Sequence, residues 1–156
     1  VDVWQVLRNE VNVGTTVLIA DWRADWIGIG IAEKLAEEGC QVKLAVNGYM
    51  PGQTIQMYVR DSSVGRLHKL GVEMIPYVRL FGADSDSVYL QHTMSGEPVI
   101  CEDINTLVLC QGHTPVNTLE DRIHEIGIDC HLAGDCLAPR TAEEAVFEGF
   151  KAGLLV

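Results

Sequence analysis

Residues 16–46 read TVLIADWRADWIGIGIAEKLAEEGCQVKLAV and contain the pattern that decides the fold. The apolar run at Thr16–Ala20 is typical of a strand that is buried on both faces. An amphipathic segment follows at Ile27–Glu38, and Gly39 is the kind of residue that ends such a helix. Because Gln41–Val46 is a second short apolar run, the stretch predicts a βαβ unit with parallel strands and a right-handed crossover.

The segments after this unit extend it into a larger α/β fold. Apolar runs predict further strands at Val72–Pro76 and Asn105–Cys110, and Asp61–Ser63 is predicted to cap a helix that runs to about Leu70. Between those strands, residues 77–103 alternate in polarity and are interrupted by turn-forming residues, which indicates an antiparallel meander. We therefore expect a three-layer α/β fold, in which a Rossmann-like parallel sheet is accompanied by an antiparallel β-meander.

A second strand-to-helix connection lies near the C-terminus. The run Ile128–Ala133 predicts a buried strand, Gly134 and Asp135 follow it, and Thr141–Leu154 predicts a helix. Such a turn brings a carboxylate to the N–H groups at the start of a helix, and this can hold the sugar and pyrophosphate of a dinucleotide. A plain structural turn, with Asp135 as a local hydrogen bonder, explains the same residues equally well.

Composition and charge exclude several classes of protein. The formal net charge of −11 argues against a nucleic-acid partner or an anionic membrane surface. No apolar run approaches the roughly 20 residues of a membrane span, and the sequence shows no basic-then-apolar leader. The five cysteines form neither a CxxC pair nor a zinc spacing, so we expect a cytoplasmic protein without disulfides. No triad, paired-carboxylate or metal-ligand pattern is present, and we expect neither catalytic residues nor a metal site.

The connection after the first strand bears on NAD(P)H binding. A dinucleotide fingerprint has its glycines directly after the strand, but here Arg23 and Asp25 fill the first two positions and Gly28 the third. Side chains at those positions block the approach of a pyrophosphate. A phosphate at about 5 Å from the Asp25 carboxylate would be repelled by about 3 kcal/mol at an effective dielectric of about 20. Asn47 stands where an NAD site has an acid for the ribose diol, so NAD(P)H binding is expected to be unfavourable.

Several of these segments together resemble one protein family. They are Val17–Asp21 with Ile27–Gly39, Arg66–Val72, Thr106–Gly112 and Leu132–Asp135. In order and spacing they are similar to the C-terminal region of the trimethylamine dehydrogenase, histamine dehydrogenase and 2,4-dienoyl-CoA reductase family of flavoproteins. The resemblance implies an NAD(P)-binding-like lobe with a degenerate glycine fingerprint at residues 1–111. It also implies that residues 112–156 are the returning segment of an FAD/ADP-binding lobe.

The resemblance also implies roles for particular residues. The Gly-Asp turn would meet the ribose or ribityl side of FAD or ADP, and the start of the last helix would face its pyrophosphate. His113 matches a strand-end loop beside that nucleotide. The candidate cofactor-binding residues are therefore Gly134, Asp135, Ala142, Glu143 and His113 in the second segment, and Asp21, Arg23 and Gly28 in the first.

The family's barrel for FMN, its 4Fe-4S cluster and the strand-GxGxxG-helix of its FAD lobe have no counterpart in these residues. The resemblance thus predicts a fragment of an FMN and iron–sulfur oxidoreductase, an N-methyl amine dehydrogenase or demethylase, with no chemistry of its own. Its partners would be the N-terminal barrel and the FAD half-domain of the parent chain, and a homo-oligomer is compatible with it. Alternatives are a stand-alone ADP- or nucleotide-binding module built on the Trp22–Trp26 loop, and a purely structural interaction module.

Overall fold

The computed structural model describes residues 1–155, which divide into two compact units, Val1–Gly112 (unit 1) and a second that begins at His113 (unit 2). Val156, the last residue of the predicted second segment, lies outside the described residues. The helices of unit 1 are α1 (Val3–Leu7), α2 (Trp26–Glu37) and α3 (Met57–Lys69). Its strands are β1 (Thr16–Asp21), β2 (Gln41–Val46), β3 (Glu73–Ile75), β4 (Val78–Ala83), β5 (Val88–His92), β6 (Pro98–Cys101) and β7 (Thr106–Cys110).

Unit 1 has the three predicted layers. Four parallel strands form one sheet in the order β3-β2-β1-β7, and the meander forms an antiparallel sheet in the order β4-β5-β6. Alternate residues of β1 face opposite layers, so Val17 and Ile19 pack with α2 while Leu18 and Ala20 pack with the meander. Each fully buried aliphatic side chain contributes about 1.5–3 kcal/mol. The α/β fold of the Rossmann type is confirmed.

The start of α3 differs from the prediction. The helix begins at Met57, so Asp61, Ser62 and Ser63 lie inside it and do not cap it. Residues of this kind favour caps because their side chains bond to nearby backbone groups, but Ser63 directs its hydroxyl to the carbonyl of Val59, at 3.1 Å, within the helix. The cap-like sequence therefore marks an internal turn of α3.

The first residues of the chain pair with the last strand of unit 1. The N-terminal nitrogen of Val1 donates to the carbonyl of Leu107 at 2.9 Å, and the N–H of Leu109 donates to the carbonyl of Val1 at 2.8 Å. Asp2 then caps α1 by accepting the N–H of Trp4 at 2.8 Å. The two ends of unit 1 therefore lie side by side.

Unit 2 contains the helices α4 (Glu120–Glu125) and α5 (Ala142–Gly153), with a 3-10 turn at Gly134–Cys136. The prediction of a buried strand at Ile128–Ala133 is wrong: this stretch forms no ladder, and Ile128 is 55% exposed. A parallel strand needs neighbouring strands for its N–H and C=O groups, and the described part of unit 2 offers none. Across residues 1–155, no helix combines the length and the apolar composition needed to cross a bilayer.

Candidate functional site

The loop between β1 and α2 occupies the place where a lobe of this type holds a pyrophosphate. Within this loop, Ala24 is fully buried and has a left-handed backbone, with φ of 51°. The N–H and the hydroxyl of Thr54 both donate to the carbonyl of Ala24, at 3.3 and 3.0 Å. Thr54, in the segment that follows β2, therefore holds the backbone of this loop at Ala24.

Asp21 lies beneath the loop and is 2% exposed. Its Oδ1 accepts the N–H groups of Arg23 at 3.0 Å and Ala24 at 2.9 Å, while its Oδ2 has no hydrogen-bond partner. A Cβ on Gly28 would lie 2.0 Å from that Oδ2, so the glycine makes room for the carboxylate. Burial raises the pKa of Asp21 to about 6, against the lowering effect of the Ala24 N–H.

Asp25 is the N-cap of α2 and also accepts a backbone N–H. Its Oδ1 accepts the N–H of Ile27 at 3.0 Å, and its Oδ2 forms an ion pair with Nε of Arg23 at 2.7 Å. Backbone N–H groups of this loop and of the helix start are donors of the kind that bind a pyrophosphate. Asp21 takes those of Arg23 and Ala24 in the loop, and Asp25 takes that of Ile27 in the first turn of α2. Three backbone donors of this connection are therefore already bound to carboxylates of the chain.

Substitution of Asp25 tests this capping role. Asp25→Ala is expected to lower the free energy of unfolding by about 1–2 kcal/mol, because the N–H of Ile27 loses its acceptor. Asp25→Ser keeps a side-chain acceptor and is the matched control. Urea unfolding followed by circular dichroism measures both, and equal losses in the two variants would contradict the cap.

The exposed part of the loop consists of two indole rings. Trp22 is 49% exposed and Trp26 is 52% exposed. A cavity at Trp22, lined in part by Arg79 and Gln111, offers about 10 Å³, which is room for about one water molecule. This cavity is therefore too small to hold ADP.

The remaining candidate residues lie in unit 2, around the start of α5. Gly134 has a left-handed backbone with φ of 69°, and its N–H donates to Oε2 of Glu148 at 2.8 Å. The next residue, Asp135, is exposed, and Ala142 and Glu143 are the first residues of α5. An exposed carboxylate and the N–H groups of a helix start are the groups that a ribose diol and a pyrophosphate require. The Thr141 side chain takes the N–H of Glu144, so the earlier N–H groups of α5 and the Asp135 carboxylate are the groups that would hold FAD or ADP.

The structure separates the predicted residues into two groups. In unit 1, Asp21 lies against both Arg23 and Gly28. His113 is the half-buried first residue of unit 2, which also holds the other four candidates. Within residues 1–155, no three His, Cys, Asp or Glu side chains are grouped so as to hold a metal ion.

The sequence reasoning missed two glutamates of α5. The sequence predicts a solvated helix face at Glu143, Glu144 and Glu148, of which the first two also suit the positive end of the helix. Glu144 instead accepts the N–H of Thr141 at 3.0 Å and also its hydroxyl, and these bonds hold the pKa of Glu144 below its usual value. The Thr-x-x-Glu spacing of a capping box could have revealed Glu144. The side chain of Glu148 is only 18% exposed, and no local pattern marks it.

No protein-family model matches the chain. The N,N-dimethylglycine/sarcosine dehydrogenase of Chromohalobacter salexigens is 23% identical over 185 residues, which cover 97% of this chain and 26% of that protein. The predicted resemblance is confirmed.

Solved structures agree with this similarity at the level of the fold. Histamine dehydrogenase from Rhizobium sp. 4-9 superimposes with a TM-score of 0.82 at 17% identity, covering 97% of this chain and 25% of that one. A 2-naphthoyl-CoA reductase superimposes with a TM-score of 0.81 at 23% identity, covering all of this chain and 23% of that one. The chain thus spans about a quarter of the length of the relatives that it matches.

Proposed function

We propose that the chain is the C-terminal nucleotide-binding region of a multidomain FMN and iron–sulfur flavoprotein oxidoreductase, an N-methyl amine dehydrogenase or demethylase. The similarity to a dimethylglycine/sarcosine dehydrogenase and to a histamine dehydrogenase supports amines as the substrate class. The coverage of about a quarter of each relative supports the presence of further domains in the parent protein. These residues carry out no chemistry alone.

The observation that carries this proposal is the incompleteness of unit 2. Among its described residues only Gly134 is buried. On α5, Val146, Phe147 and Phe150 are 73%, 60% and 64% exposed. Large apolar side chains on one helix face are normally buried against other elements, so their exposure supports a lobe whose strands come from elsewhere in the parent. Residues 112–156 are then the returning segment of an FAD- or ADP-binding lobe.

Each unit has a separate role in this proposal. In the returning segment, Asp135 would bind the sugar of FAD or ADP, and the N–H groups at the start of α5 would bind its phosphates. A glycine-rich turn in the missing half-domain would complete the site. FMN and the 4Fe-4S cluster would reside in the missing barrel. Residues 1–111 would be a lobe that does not bind NAD(P)H, since Asp21 and Asp25 take its phosphate donors. The parent protein would be cytoplasmic, in keeping with five free cysteines.

Flavin retention tests the proposal. The full-length protein is expected to retain flavin through gel filtration, and the 156-residue chain is expected to elute without it, because the phosphate-binding glycine turn lies outside these residues. Absorbance at the flavin wavelengths across both elution profiles is the measurement. In the full-length protein, Asp135→Ala should lower the amount of FAD or ADP released on denaturation, as measured by chromatography, while Asp129→Ala should not. A yellow stoichiometric flavin peak with the 156-residue chain alone would contradict the proposal.

The exposed indoles of Trp22 and Trp26 favour a second candidate, a stand-alone module that holds ADP at this loop. Calorimetry of the chain with ADP, NADH and NADPH distinguishes the two. Micromolar ADP binding that is lost in Asp21→Ala or Arg23→Ala would support the module. A purely structural interaction module would bind none of the three nucleotides.

A further inference from the structure

Glu148, a residue of α5, is hydrogen-bonded to the Gly134–Asp135 turn. Its Oε2 accepts the N–H of Gly134 at 2.8 Å, and its Oε1 forms an ion pair with Nη2 of Arg140. The same guanidinium group donates through Nε to the carbonyl of Ala138 at 3.3 Å. One carboxylate therefore holds both ends of the segment from Gly134 to Arg140.

The packing around the turn explains why a carboxylate stands at this position. A Cβ on Gly134 would lie 3.2 Å from the Cβ of Ala145, so the turn approaches α5 closely at this residue. Ala145 and Glu148 are three residues apart and lie on the same helix face. The small side chain of Ala145 leaves space for the turn, and the longer side chain of Glu148 accepts the buried N–H of Gly134.

We propose that Glu148 is the positioning residue of the nucleotide half-site. It fixes the Asp135 carboxylate relative to the start of α5 without touching the nucleotide. Arg140 neutralises Glu148, and so the bound carboxylate does not repel an anionic ligand. This assignment rests on the proposed function, in which the half-site holds FAD or ADP.

Amide hydrogen exchange in the nucleotide-free full-length protein tests the positioning directly. Glu148→Ala removes the acceptor, and we expect faster exchange in the peptide that contains Gly134. Glu148→Gln retains an amide oxygen at the same place and should restore most of the protection. Glu125→Ala, an exposed glutamate of α4, is the control and should change nothing. Unchanged exchange in Glu148→Ala would overturn the assignment.

Calorimetric titration of the flavin-depleted full-length protein with ADP gives the second readout. Glu148→Ala is expected to weaken ADP binding about tenfold or more, and Glu148→Gln much less. Arg140→Ala, which leaves the bond to Gly134, should have a smaller effect than Glu148→Ala. The isosteric Glu148→Gln separates the loss of this bond from a folding defect. Equal affinities in wild type and Glu148→Ala would overturn this inference and leave the proposed function standing. A wild-type protein that binds neither ADP nor FAD would overturn both.

Discussion

Gly28→Ala is expected to lower the free energy of unfolding of unit 1 by about 3 kcal/mol or more. The added Cβ would lie 2.0 Å from Oδ2 and 2.5 Å from Cγ of Asp21. The carboxylate has little freedom to move away, because its Oδ1 holds the N–H groups of Arg23 and Ala24. Chemical denaturation of the 156-residue chain is the measurement.

Gly30 provides a matched control for this substitution. It lies in the same helix, and a Cβ there would meet nothing within 4 Å. Gly30→Ala should therefore stabilise α2 by about 0.5–1 kcal/mol, since alanine loses less backbone entropy than glycine in a helix. Similar changes in both variants would contradict the close contact between Gly28 and Asp21.

Asp21 is expected to make the stability of unit 1 fall as the pH rises from 4 to 6. Its pKa is about 6 in the folded chain and near 3.8 in the unfolded chain, so the folded state binds the extra proton in this range. Its contribution is therefore fully present below about pH 4 and is lost as the pH passes through 6. The difference of about two pH units corresponds to about 3 kcal/mol.

Asp21→Asn isolates this effect, because the amide keeps the shape of the side chain and does not titrate. Unfolding free energies of both proteins would be measured by urea denaturation from pH 4 to 7. The stability of the wild type relative to the variant should decline across the interval. Parallel curves for the two proteins would show that Asp21 is not buried as a carboxylate.

The elements that the sequence predicts well are those with strong periodicity and a partner in the same unit. The bounds of β2 agree with the pattern from Gln41 to Val46, and α2 agrees within one residue at each end. In both cases the hydrophobic pattern, the flanking polar residues and the sheet register favour the same structure. Local pattern and tertiary packing therefore gave the same answer.

The errors arise where a local pattern depends on something outside itself. Ile128–Ala133 has the composition of a buried strand, but a strand exists only beside another strand, and unit 2 has none among its described residues. Asp61–Ser63 resembles a cap, but its side chains are satisfied within α3. The local sequence pattern shows neither the missing partner strand nor the hydrogen bonds within α3.

The candidate site shows the same limit. The spacing in the first loop predicts that Arg23 and Asp25 stand at glycine positions, but it does not indicate that Asp21 turns inward to bind the loop. Glu148 is thirteen residues away from Asp135 in sequence, and only the fold of the turn against α5 brings its carboxylate to the Gly134 N–H. Side chains that bond to distant backbone groups leave no periodic signal.

The pairing of Val1 with β7 has a consequence for any longer chain that contains unit 1. An unfolded insertion between two segments costs entropy when its ends are brought together, and this cost grows with the logarithm of its length. A folded unit whose ends are already adjacent does not add this cost. The residues immediately before and after the unit would thus lie close together, as the two ends of a tight turn do. Substitutions inside the unit would not change this separation as long as the unit folds. Such a unit can lose the ability to bind a ligand without disturbing the lobe that flanks it. It can also be removed and replaced by a short linker, as compact domains with adjacent ends allow.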